Sequence, residues 1–185
     1  MKIDFKNDVT RAQEETEGSD GRLNVSSRAD NRAYYNSRDK GQCYSLPYEF
    51  NTSATGEWGC YLKNTSTDKT LVISSIGLNA EVASRFKLYF VTGTAAAGDT
   101  VVPTNVNNSS PNDAVAVCME GASAATGITG LTAVNTIDYA WCTATGHEEM
   151  RLSDRVRLGQ NDAVALQISE TAGGDIGGVV FFYYE

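Results

Sequence analysis

The only histidine of the chain, His147, stands in the segment TGHEEM beside Glu148 and Glu149. A histidine could act as general base for a Ser or Cys nucleophile, and two carboxylates could share acid and base work at a glycosidic bond. The surroundings support neither chemistry. No GxSxG elbow accompanies His147, and a lone histidine in a loop-like, polar segment reads as a surface residue. Neighbouring side chains on a strand point to opposite faces, so Glu148 and Glu149 could not flank one bond. The stretch GTAAAGDT has the glycine spacing of a phosphate loop without its lysine or its strand-to-helix setting, and TAGGDIGG is a single Gly-Asp turn where calcium sites need stacked repeats. Cys43, Cys60, Cys118 and Cys142 show no CxxC spacing. In a reducing cytosol they read as small buried hydrophobes, since structural zinc requires paired ligands two to four residues apart. The expectation is a non-enzymatic chain without metal or cofactor.

Binding chemistry is better represented. Trp58, Tyr139, Trp141 and the terminal FFYY could offer aromatic platforms to sugars, although core and interface packing is the commoner fate of such rings. The Asn-X-Ser/Thr tripeptides at Asn51, Asn64 and Asn108 have meaning as glycosylation acceptors only in a secreted chain. No apolar run marks a signal peptide in MKIDFKNDVTRAQEETEG, and no stretch approaches the roughly 20 apolar residues of a membrane helix, so the chain is expected to stay in the cytosol where it is made.

Charge separates two regions. Residues 1–40 hold eight Lys or Arg and eight Asp or Glu, whereas residues 41–185 hold seven against fifteen and carry the whole net charge of −8. An acidic body repels nucleic acid, whose affinity for proteins rests on Lys and Arg. The first 40 residues have few apolar positions and no sustained period, which predicts an extended N-terminal arm. Its second half mixes cations with apolar and aromatic groups: Arg22, Leu23, Val25, Arg28, Arg32, Tyr34, Tyr35, Arg38 and Lys40. Arg and Tyr are enriched at interfaces, so these residues are the candidate contacts to a partner. Alternatively the segment wraps its own subunit's body.

From residue 42 the pattern is that of short strands. Nine candidates cover 42–50, 57–63, 70–78, 84–92, 113–119, 135–142, 155–158, 162–169 and 177–185, each rich in β-branched or aromatic residues and bounded by turn formers. In DAVALQIS, Val164, Leu166 and Ile168 should face inward while Ala163, Ala165 and Gln167 face the other way. TLVISSIGL lacks clean alternation, as for a strand covered on both faces. Pro47, Pro103 and Pro111 fall at strand edges or in loops. The prediction is all-β: one jelly-roll-like antiparallel sandwich of about eight strands over residues 41–185, preceded by the arm over 1–40.

Four segments carry a further likeness: NVSSRADNRAYYNSRDKGQCYSLPYEF, YLKNTSTDKTLVISSIGL, KLYFVTGTAAAGDTVVPTNVN, and RLGQNDAVALQIS with the terminal GGVVFFYYE. Over most of residues 24–185 the chain resembles jelly-roll decoration (cement) or head-fibre virion proteins of tailed bacteriophages. The resemblance implies a small sandwich, commonly trimeric, that sits on or between capsomers, binds the major capsid protein and copies of itself, and is found in the virion. It implies a contact role for the arm positions from Arg22 to Lys40. The same kind of module serves in tail or fibre proteins, where it would recognise a receptor or glycan.

Overall fold

The structure, a computed structural model, describes residues 6–7, 10–17, 23–29, 32–52, 54–122, 127–170 and 174–185. The first 40 residues contain strands β1 (Lys6–Asn7), β2 (Thr10–Glu17) and β3 (Leu23–Ala29), which pair antiparallel in a small sheet of their own. A single helical turn, α1 (Arg32–Tyr35), runs into a π turn over Asn36–Lys40. Gly41 ends it in the left-handed region, at φ 58. A Cβ there would lie 2.3 Å from the Ser110 hydroxyl, so both conformation and space demand glycine.

The body is a sandwich of eleven strands: β4 (Cys43–Thr52), β5 (Trp58–Asn64), β6 (Leu71–Ala80), β7 (Ser84–Ala96), β8 (Gly98–Thr100), β9 (Thr104–Asn105), β10 (Ala116–Gly121), β11 (Thr129–Cys142), β12 (Gly146–Leu158), β13 (Ala163–Glu170) and β14 (Gly174–Tyr184). One sheet has the order β11-β7-β13-β5-β10-β8, the other β12-β6-β14-β4-β9. The eight long strands pair in nested fashion: β7 with β11, β6 with β12, β5 with β13 and β4 with β14. That is one long antiparallel hairpin wrapped around a core, the connectivity of a jelly roll. The excursion at its tip, residues 97–128, supplies β8, β9 and β10, which extend both sheets on the side of β4 and β5. All nine expected strands are present; the two added ones are only two or three residues long.

Strand alternation builds the core. Tyr44, Leu46, Tyr48 and Phe50 from β4 meet Phe86 and Leu88 from β7 and Phe182 and Tyr184 from β14 between the sheets. Val164, Leu166 and Ile168 face inward, as their spacing predicts. Each such side chain contributes about 1.5–3 kcal/mol on burial. Tyr44 stacks on Phe182 at 5.3 Å between ring centroids. Phe50 occupies a slot that glycines leave open, because a Cβ on Gly59 would lie 1.9 Å from its ring and one on Gly121 2.7 Å.

Two departures from simple alternation have local causes. In β6 a bulge in its ladders with β12 and β14 lies between Ile73 and Ile76, both core residues three apart, while Val72 faces outward and is buried under Ala33 with Cys43 and Tyr183. Pro47 lies within β4, not at its end; its neighbour β9 reaches only Tyr44 and Ser45, so beyond them β4 is an edge. Glu49, two residues on, points its N–H away from β14 and donates it to the Glu120 carboxylate at 2.6 Å. The missing N–H of Pro47 therefore faces the same open side and leaves no ladder bond unmade.

Candidate functional site

The residues singled out for catalysis are dispersed over one polar strand. His147 lies in β12 and not in a loop, and its Nδ1 is 2.8 Å from the Asn79 amide oxygen on β6. Glu148 and Glu149 occupy successive, opposite-facing positions. Arg151 donates to Glu149 at 2.7 Å and holds its carboxyl below the usual carboxylate range. The first half of β12 escaped the sequence pattern because its outward residues are His147, Glu149 and Arg151, and because Ser153 and Asp154 adopt positive φ and interrupt the strand.

All four cysteines are buried and free. Burial pushes the Cys118 thiol up to about 12 and the Cys60 thiol higher still, which suppresses the nucleophilic thiolate. Among the described residues, no group of three or more His, Cys, Asp or Glu could hold a metal ion.

The three aromatics proposed as a sugar platform separate. Trp58 is buried on the outer face of the six-stranded sheet, edge-on to Tyr89 at 5.5 Å and packed with Ile128, Tyr61 and Val91. Tyr139 and Trp141 lie on edge strand β11 and remain 63% and 50% exposed. The register aligns Tyr139, Lys87, Gln167 and Trp58 across four strands, about 14 Å from end to end. Trp141 pairs with Arg85, whose guanidinium sits 5.0 Å over the Tyr139 ring. The result is an exposed aromatic pair flanked by two cations.

The candidate contacts of the arm divide as follows. Arg22 lies outside the described residues. Leu23, Val25 and Arg28 are on β3, and Arg32, Tyr34 and Arg38 on the helical turns, with side chains outside what is described. Tyr35 is half-buried with the Lys40 Nζ 5.3 Å over its ring. This stretch is rooted on the body: Asn107 donates to the Ser37 carbonyl at 2.8 Å, Asn112 to the Lys40 carbonyl at 3.0 Å, and Ser110 to the Gly41 carbonyl at 3.0 Å. The donors all come from the segment NVNNSSPND, whose asparagine density is the sequence signal for such bonds, since Asn side chains bond backbone groups.

A second surface had no sequence signal. On the outer face of the five-stranded sheet the register sets His147, Asn79, Gly177 and Glu49 in one row and Glu149, Gly77, Val179 and Pro47 in the next. With Gly177, Gly178 and Val179 along its floor, this face carries an open groove of about 900 Å³. Its walls carry Glu49, Glu81, Glu120 and Asp175. Asn51 donates to Asp175 at 2.7 Å, and Glu81 accepts the Asp175 N–H at 3.0 Å.

No family model, no curated protein and no solved structure matches the chain.

Proposed function

We propose that the chain is a structural protein of a tailed-phage particle, a capsid decoration protein that binds the outer shell and stabilises it through its arm and an oligomeric sandwich. One observation carries this reading. The basic-aromatic stretch ends at a fixed root, with Ala33 packed on Val72 and Tyr183 and three backbone carbonyls between Ser37 and Gly41 taken by Asn107, Asn112 and Ser110. A rooted segment presents what precedes it from a defined point, so less entropy is lost when those residues dock. An acidic body supports solubility before docking, and many weak copies on a shell gain avidity.

The test removes residues 1–31 and leaves the root in place. Co-sedimentation with capsids lacking the protein should show binding by the full chain and its loss on truncation, while the truncated sandwich stays folded by circular dichroism. Equal decoration by both forms would remove the arm from the account. A second reading, a tail or fibre domain that recognises a glycan, is favoured by the exposure of Tyr139 and Trp141; cell adsorption without capsid binding would place it first.

A further inference from the structure

The two outer faces of the sandwich are complementary. On the six-stranded sheet, exposed Tyr139 and Trp141 are flanked by Arg85 and Lys87, two of the seven basic residues in 41–185. On the five-stranded sheet, the groove has a glycine and Val179 floor and a rim of Glu49, Glu81, Glu120 and Asp175. An apolar centre within a charged rim is the anatomy of a protein interface, and here one rim is cationic and the other anionic. A body of net charge −8 repels its own copies at long range. Association of copies through the body is therefore favoured by a contact in which its few cations meet its carboxylates.

We propose that the Tyr139–Trp141 face of one copy docks into the Gly177–Val179 groove of a second copy, a head-to-tail contact between different surfaces. Such a contact is heterologous, and it closes into rings such as a trimer when the rotation per subunit permits. The two rings bury large apolar area at little entropic cost, and the glycine floor leaves room for them. The carboxylates fix orientation by facing Arg85 and Lys87. This proposal rests on the reading of the chain as an assembling structural protein, and its readout does not involve capsids.

Analytical ultracentrifugation of the full chain tests it with two variants. Trp141→Glu removes the docking face, and Glu49→Lys with Val179→Lys removes the groove; Trp141 and Glu49 are exposed and Val179 is half-buried on the outer face, and unchanged thermal melts confirm folding. The wild type is expected to self-associate, weakening by about tenfold or more as salt is raised. Each variant alone should be monomeric. Mixed one to one, they should form a dimer and nothing larger, because one intact face meets one intact groove and both remaining ends are blocked. A monomeric wild type, a variant that keeps the wild-type mass, or a mixture that stays monomeric would overturn the proposal. Complementation without capsid binding would instead overturn the decoration reading and leave this contact standing. Capsid binding with a monomeric mixture would do the reverse.

Discussion

The inner and outer faces of the two sheets follow different rules. Inner faces alternate large apolar side chains into one continuous core, and their residues are fixed by volume. The outer faces share no such constraint and have diverged from each other. The six-stranded sheet covers its centre with a second apolar cluster and leaves two aromatics on its edge strand. The five-stranded sheet opens its centre with Gly177 and Gly178, surrounds it with carboxylates, and is covered at one end by the arm root. The contrast separates residues that hold the fold from residues free to meet a partner.

Adjacent residues on β14 give the sharpest way to break this division. Phe182 is fully buried between the sheets and Phe181 is 40% exposed on the groove face. Phe182→Ala should cost about 3–5 kcal/mol in urea unfolding and Phe181→Ala under about 1 kcal/mol. Equal costs would mean that the outer face is packed as tightly as the core. The two tryptophans make the same comparison on the other sheet. Trp58→Ala should cost about 3 kcal/mol and Trp141→Ala less than about 1 kcal/mol, with the second change felt in self-association instead.

A smaller effect concerns the close approach of Gly77 on β6 and Gly178 on β14 to the Tyr48 ring. Tyr48 donates its buried hydroxyl to the Gly77 carbonyl at 3.0 Å, so Tyr48→Phe should cost about 1–2 kcal/mol in urea unfolding, with little change at the groove. A pH-dependent effect comes from the thiols. Burial raises the Cys118 pKa to about 12 from an ordinary value of 9.0. The folded state thus favours the neutral thiol, and its contribution is fully present below pH 9 and lost as pH rises from there toward 12. Urea midpoints should fall between pH 8.5 and 11, and a Cys118→Ala variant should show less of that fall. In native protein at pH 8, Cys60 and Cys118 should resist thiol reagents until denaturant is added.

Most of the body was legible in the sequence because inner faces obey a period of two and turns carry Gly, Asn and Asp. Val164, Leu166 and Ile168 show it directly. What escaped was set by position between strands and not along one. Trp58 and Trp141 are chemically alike, yet a central strand covered by Ile128 buries the first and an edge strand exposes the second. β8 and β9 are too short to hold a pattern and exist because they pair with longer neighbours. The groove depends on register: Asn79 and Gly177 lie far apart in the chain and share a row only once β6 and β14 pair. The root asparagines bond to carbonyls about 70 residues away, which no local window contains.

The proposed place of this sandwich in the shell of a particle is open to direct measurement. Immunogold labelling of purified virions, combined with quantitative mass spectrometry of the protein against the major capsid protein, measures it directly. The account predicts gold spread over the head surface and a copy number that is a fixed multiple of the capsomers. Labelling confined to the tail, or a handful of copies per particle, would contradict it.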